Sequence, residues 1–481
     1  MTQGGDASRH HTLQVHLQGF RTFYDAGAVR GQNSQAGKRA ARLARHPCNP
    51  YTEIFMPSAV SLSAYALILR TNPNFRRLWY AQMISEIGDW FYTVAVYGLL
   101  LEMTGKAQSI AAAIILQVLP QAIFGPIAGV VNDRISRRSV MIGADLARAV
   151  IVLGMLAART PGTVWLIYPL LFLETVMWGF FEPARSAVIP NIVPEQDILV
   201  ANTLGSTTWS FNFAVGFALG GVAAYFLGRD VVFVLNAVSF LASANLIRRM
   251  RFEEPHADTS AALRATELLN FTPMREGLDY ICRNPRLTAT VFVKCGLGFM
   301  GSNWVILPIL GDRVFPVGVP SNAARHDPSL AMSVLMGARG VGALLGPFIS
   351  GALAAGKPGR QRIGIVFGYL AAAAGYLALG SAPNTWVAFG AVVFAHAGGS
   401  TIWVFSTTLL QSLTEDKYRG RVFSAELGLM MVAISVTSYL AGMCVDLGVS
   451  PKTVAAWTGV SMLIPAIAWT WALGRWKARP H

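Results

Sequence analysis

Charge is scarce in this sequence. Asp, Glu, Lys and Arg make up 13% of its 481 residues, whereas soluble globular proteins run near a quarter. With 53% hydrophobic residues and a mean hydropathy of +0.45, that scarcity excludes an ordinary soluble fold. Too little polar chain exists to cover so large an apolar interior. Cysteine is sparse as well. Cys48, Cys282, Cys295 and Cys444 stand far apart, with no C-x-x-C pair and no Cys/His cluster. Neither a disulfide framework nor a zinc site is indicated. Residues 1–55 also lack an apolar run of signal-peptide type. Their polar, basic composition predicts a disordered extension that the rest of the chain can do without, and Met56 is an alternative start.

What fills the remainder is apolar blocks of spanning length. About twenty mostly apolar residues cross a bilayer as a helix. Such blocks lie near 78–103, 108–131, 139–158, 163–182, 200–227 and 231–250, and again near 288–310, 329–356, 362–381, 384–412, 421–446 and 453–474. The expected fold is an all-α membrane protein of about twelve transmembrane helices in two pseudo-symmetric six-helix bundles. The bundles cover residues 72–250 and 287–474, and a charged linker, 251–286, joins them.

The net charge of +14 is distributed by side. Thirty Lys and Arg fall in the termini and in the loops after even-numbered spans, against six in the other loops. Without residues 1–55 the ratio is still 23 to six. Cytoplasmic loops carry such an excess, so both termini and the linker are expected in the cytoplasm. The basic charge is thereby explained as a topology signal, with no nucleic-acid surface.

The two halves echo each other. Asn72-Pro73 precedes the first span and Asn284-Pro285 the seventh. Gly125-Pro126 and Gly346-Pro347 lie late in spans two and eight, offset by 221 residues. The corners opening at Ala187 and Thr408 share that offset. Repeated bundles with a site between them at mid-membrane are a recurrent transporter plan.

The loop after span two reads Gly129-Val-Val-Asn-Asp133-Arg134-Ile-Ser136-Arg137-Arg138. Here the chain resembles the major facilitator superfamily, whose loop signature has Gly, then Asp-Arg, a second Gly and two basic residues. Ser136 stands at the second Gly. The resemblance implies that Asp133 docks against the other half in one transport state and releases in the other. A carboxylate beside a helix N-terminus gains roughly 0.3–2 kcal/mol, enough to bias such an element. Further strings narrow the match: Asn74-Phe75-Arg-Arg-Leu-Trp79, Ser85-Glu-Ile-Gly88-Asp89-Trp90, Phe181-Glu182-Pro183-Ala184-Arg185-Ser186-Ala187, Ala201-Asn202, and Arg419-Gly420-Arg421-Val422-Phe423-Ser424. They are similar to the exporter branch that includes macrolide-efflux and enterobactin-exporter proteins. That similarity covers most of residues 72–474 and implies efflux without naming a cargo. Gly216-Phe217-Ala-Leu-Gly220-Gly221 resembles an antiporter signature with Phe217 at its proline. As a bare pattern, its small residues let a neighbouring helix approach closely.

Charges inside spans invite a functional reading because hydrocarbon disfavours them. Glu86 and Asp89 share one face of the first span, and two such carboxylates resist double ionisation. They are the leading candidates for proton coupling, with Glu174 of span four beside them. Lys294 and Arg339 are candidate counter-charges from the other half. Asp145 and Arg148, three residues apart in span three, are read as a pair that satisfies itself. Gly351-Ala-Leu-Ala-Ala-Gly356-Lys357 fits a phosphate-loop pattern, but Pro358 stands at the Ser/Thr position and no strand precedes it. His396 is alone among small residues. No cofactor or metal is implied, and no enzyme.

The expectation is a secondary active exporter of a small amphipathic molecule, working as a monomer in the cell membrane by exchange for protons. An importer or facilitator, or a scaffold or sensor without transport, are the alternatives.

Overall fold

A computed structural model of the chain describes residues 62–254, 272–316, 328–354, 358–415 and 418–477. The expected extension 1–55 and the middle of the expected linker lie outside them. No strand occurs among the described residues. The helices are α1 (Leu62–Thr71), α2 (Pro73–Thr104), α3 (Ala107–Arg134), α4 (Arg137–Gly154), α5 (Ile167–Ile192), α6 (Ile198–Leu227) and α7 (Arg229–Arg248), then α8 (Thr272–Arg283), α9 (Pro285–Leu297), α10 (Asn303–Arg313), α11 (Pro328–Ala354), α12 (Pro358–Ser381), α13 (Thr385–Leu413), α14 (Arg419–Asp446), α15 (Pro451–Ser461) and α16 (Leu463–Lys477).

Among the described residues, eleven helical stretches are long and apolar enough to cross a membrane. The 32-residue α2 is long enough too, but Glu86, Asp89 and Glu102 dilute its hydropathy. With it the expected set of about twelve is complete. Two spans are interrupted. The seventh is α9 and α10 joined through a tight turn, Gly298–Ser302, and the twelfth is α15 and α16 joined at Met462. Val150, Phe226, Phe367 and Ile467 are exposed on the outer faces. Such a surface would drive association in water and suits lipid.

The sequence repeat has a local cause. Asn72 accepts a hydrogen bond from Phe75 N, and Pro73 opens α2. Asn284 accepts from Arg286 N and Leu287 N, and Pro285 opens α9. Both are N-caps followed by a proline whose missing N–H costs nothing there. Each half therefore begins with the same start signal.

The halves meet through α6 against α11 and α3 against α14. Gly340 faces Ala214, where a side chain would collide with backbone. At one end of the bundle the α2–α3 turn is tied to the other half. The Asp446 carboxylate accepts from Ala107 N at 2.7 Å and from Gln108 N at 2.9 Å, capping α3 where Lys106 offers no cap of its own. Arg313 donates to Gly105 O at 2.8 Å. Gly105 makes that turn at φ 64°, a conformation glycine adopts without strain.

Candidate functional site

The N-terminal half is organised around Arg148, whose side chain is 1% exposed. Three helices aim carboxylates at it. Its Nη2 donates to Asp89 Oδ2 of α2 at 2.6 Å, and its Nε to Glu174 Oε1 of α5 at 2.8 Å. Asp145, one turn away on α4, is more distant at 3.6 Å. Tyr92 donates to the second Glu174 oxygen at 3.1 Å, and the guanidinium lies 4.0 Å from the Phe240 ring centre. One cation thus faces three carboxylates. Asp89 Oδ1 and both Asp145 oxygens are buried with no donor.

A polar line leads away from this cluster. Glu86 accepts from Asn212 at 2.9 Å and from Gln82 at 2.8 Å. Gln82 in turn accepts from Arg185 at 3.1 Å, and Arg185 pairs with Glu182. Glu182 is 29% exposed, so the line joins the interior to the surface.

The C-terminal half is arranged differently. Lys294 of α9 meets Glu426 of α14 at 2.8 Å, and its ammonium sits 4.3 Å from the Trp403 ring centre. This is one cation for one anion. Arg339, near the middle of α11, has no carboxylate beside it among the described residues. Its guanidinium stacks 3.5 Å over Trp304 of α10 and 4.8 Å from Phe213 of α6, and its buried Nη1 has no acceptor. Stacking contributes about 0.5–2 kcal/mol. A charge at mid-membrane costs at least about 2.5–3.5 kcal/mol, so the stacking alone does not offset it. The same rings belong to an aromatic cluster bridging the halves. Trp90 contacts Trp209, Phe213 and Phe217 at centroid distances of 5.8, 4.7 and 5.2 Å, and lies stacked 6.4 Å from Trp304.

Within the loop signature, Asp133 lies at the surface, 75% exposed, and Arg137 at 3.9 Å is its ion-pair partner. Two of the basic residues are held within their own half: Arg137 donates to Ala187 O at 2.9 Å and Arg138 to Arg248 O. Glu254 caps α4 from the chain after α7, accepting from Ser136 Oγ at 2.5 Å and Arg137 N at 2.8 Å. Gly129 has open space around it, and Arg134 lies beside Asp133 at the end of α3.

The profile of the transmembrane secretion effector family, a branch of the major facilitator superfamily, matches residues 63–479. This chain belongs to that family. It is a membrane transporter and not an enzyme. Macrolide efflux protein A of Streptococcus pyogenes is 26% identical to the transporter over 385 residues, 78% of this chain and 89% of that protein. Macrolide efflux protein A of Enterococcus faecalis is 25% identical over 334 residues, 67% and 96% of the two chains. Among solved structures, an auto-inhibited peptide transporter of the POT family superposes with a TM-score of 0.64 at 11% identity, covering 85% of this chain and 99% of that one. A bacterial homologue of the human lysosomal transporter Spinster, inward-facing and occupied, gives 0.62 at 14% identity, covering 86% and 97%. These two likenesses show the fold.

Within the transporter, several sequence expectations need correction. Asp89 was expected to find its counter-charge across the halves in Lys294 or Arg339. Arg148 supplies it from within the same half, while Lys294 is taken by Glu426. The Asp145–Arg148 pair does not satisfy itself, because Arg148 lies closer to Asp89 and Glu174 and Asp145 keeps two oxygens without donors. Glu86 and Asp89 share a helix face but have separate partners. The glycines of α6 act in packing. A side chain at Gly216 would meet Trp90, one at Gly220 would come 2.8 Å from Phe91 Cα, and Gly221 is buried beside them. Lacking proline, α6 runs unbroken. His396 lies 2.9 Å from the Tyr376 hydroxyl. Glu426 and Glu254 escaped the sequence reading. Glu426 satisfied the same criterion as Glu174, an acid inside an apolar span. Glu254 had no signal apart from its place after the sixth span.

Proposed function

We propose that the transporter exports a small amphipathic molecule by alternating access, in exchange for protons taken up by the Arg148 cluster. One observation carries the reading: three carboxylates converge on a single buried guanidinium, and three of their oxygens have no donor. Two negative charges in excess are disfavoured in low dielectric. Protons relieve the excess, so the cluster can hold them and give them up. Asp89 is the leading proton carrier, because it pairs with Arg148 through one oxygen and leaves the other free. Glu174 shares Arg148, and Glu86, one turn away on α2 and held by Gln82 and Asn212, is a further proton acceptor. The efflux relatives support the outward direction.

In the cycle, cargo leaves on one stroke and protons enter on the other. With Asp89 ionised and paired to Arg148, α2 and α4 are held together. Protonation from outside loosens that pair and lets the halves rock. Asp133 then docks at the opposite end of the molecule from Asp446, so that each state has its own latch. The transporter works as a monomer in the cell membrane, with both termini in the cytoplasm.

Reconstituted vesicles test the coupling. Efflux driven by an imposed pH gradient and cargo exchange without a gradient are measured on the same preparation. Asp89→Asn keeps the shape and removes the titration. It should abolish the first and leave the second largely intact. An Asn variant that still concentrates cargo against its gradient rules Asp89 out.

A further inference from the structure

We infer that the aromatic cluster between the halves is a binding site for an anionic cargo, whose oxyanion is received by Arg339 Nη1 and Trp90 Nε1 over the rings of Trp304 and Phe213. The inference rests on the exporter reading, since it names the class of molecule exported. Two hydrogen-bond donors in this cluster, Arg339 Nη1 and Trp90 Nε1, are buried with no acceptor. Buried donors without acceptors are rare, and each asks for an explanation. These two lie around the same pair of rings: Arg339 stacks on Trp304 and Phe213, and Trp90 contacts both. The titratable neighbours of Arg339 are Tyr97, Tyr376 and His396. None brings a negative charge at neutral pH. Among the described residues, Arg148, Arg185 and Lys294 each have a carboxylate, and Arg362, which also stacks on a ring, lies near the end of its span instead of its middle.

The position suits a cargo. Trp90 and Phe213 belong to the N-terminal half, Trp304 and Arg339 to the C-terminal half, and all four lie well inside their spans. Arg339 keeps some exposed surface while its Nη1 is covered, so an incoming group reaches that atom only when the rings part. A charged guanidinium offers a carboxylate or phosphate two parallel donors. The flat rings accept an apolar or aromatic body. Together they select an amphipathic anion and reject a cation of the same shape, which would meet Arg339 as a like charge.

Energy transfer from tryptophan to pyrene reads such binding in the purified full-length transporter. The probes are 1-pyrenebutyrate, 1-pyrenebutanol and (1-pyrenebutyl)trimethylammonium, with protein-free micelles as the blank. The carboxylate should bind about tenfold tighter than the alcohol, and the ammonium weakest. Arg339→Gln should bring the carboxylate to the level of the alcohol and leave the alcohol unchanged. Trp90→Phe keeps an aromatic ring and removes Nε1, and should weaken the carboxylate alone by about threefold. That variant decides the matter if Arg339→Gln does not fold. Equal or tighter binding of the alcohol or ammonium overturns the inference. So does an anion preference that survives Arg339→Gln or Trp90→Phe unchanged, or failure of the wild type to bind any probe. Vesicle efflux is measured separately. Anion-selective binding without gradient-driven efflux would sink the exporter reading and keep the site.

Discussion

The two halves share a start signal, a span count and a fold, yet they handle charge in opposite ways. The N-terminal half gathers three carboxylates on one guanidinium. The C-terminal half matches Lys294 to Glu426 one to one and leaves Arg339 with rings in place of a carboxylate. One half has a surplus of acid and the other a surplus of base. Architecture was duplicated and chemistry was not. A balanced pair such as Lys294–Glu426, which joins α9 to α14, leaves no charge for a proton to cancel. A cluster out of balance changes its interactions whenever a proton or an ion arrives, which is what a coupled carrier requires.

The largest expected effect comes from breaking the centre of the N-terminal half. Arg148→Gln leaves three carboxylates without a cation and should cost about 3–5 kcal/mol, seen as a large fall in the melting temperature of the solubilised protein. By contrast, the double substitution Lys294→Met with Glu426→Leu removes both partners and should stay within about 1 kcal/mol of wild type. Equal losses would mean that the halves do not differ in this way.

Next in size is the separation of coupling from packing. Asp89→Asn should all but abolish pH-driven efflux, a fall of about a hundredfold or more, the scale of a lost proton-transfer group. Glu426→Gln should leave the dependence of efflux on the gradient unchanged in folded protein. Loss of coupling in the Glu426 variant would move the proton site to the C-terminal half.

Smaller shifts are expected at the two ends. Asp446 caps α3 across the halves, and removing a cap costs about 0.5–2 kcal/mol. Asp446→Ala should therefore move the conformational equilibrium about two- to thirtyfold towards the state open at that end. Asp133→Asn should move it the other way without changing cargo affinity. Distances between paired labels at each end would read both. Shifts in the same direction would refute the idea of one latch per state. The smallest effect belongs to residues 1–55. A chain begun at Met56 should insert and transport as the full chain does, and loss of either in a vesicle assay would show that the extension takes part.

Most of the fold was legible because it is written in local patterns. Apolar blocks of spanning length, Asn-Pro starts and basic loops each depend on neighbouring residues. The glycine approach at Gly216 and Gly220 was also visible, since spacing on one helix sets it. The site was less legible because its partners are distant in sequence. Arg148 was matched to Asp145, three residues away, while its stronger partners Asp89 and Glu174 lie 59 and 26 residues off. Sequence shows which charges enter the membrane and not which of them meet. Lys294 and Arg339 look alike as isolated cations in adjacent spans, and only packing separates the one that found Glu426 from the one that did not.

Arg339 has an electrical consequence. A positive charge near the middle of a bilayer, uncancelled by a neighbour, feels the transmembrane voltage. Full passage of one charge through 100 mV is worth about 2.3 kcal/mol, and partial passage a proportional fraction. Whenever the halves rock with the site empty, that charge shifts relative to the field; when an anion fills the site, the voltage has almost nothing to act on there. An inside-negative potential would then draw the empty carrier back towards the cytoplasm, so that part of the return stroke is driven by the membrane's own polarisation.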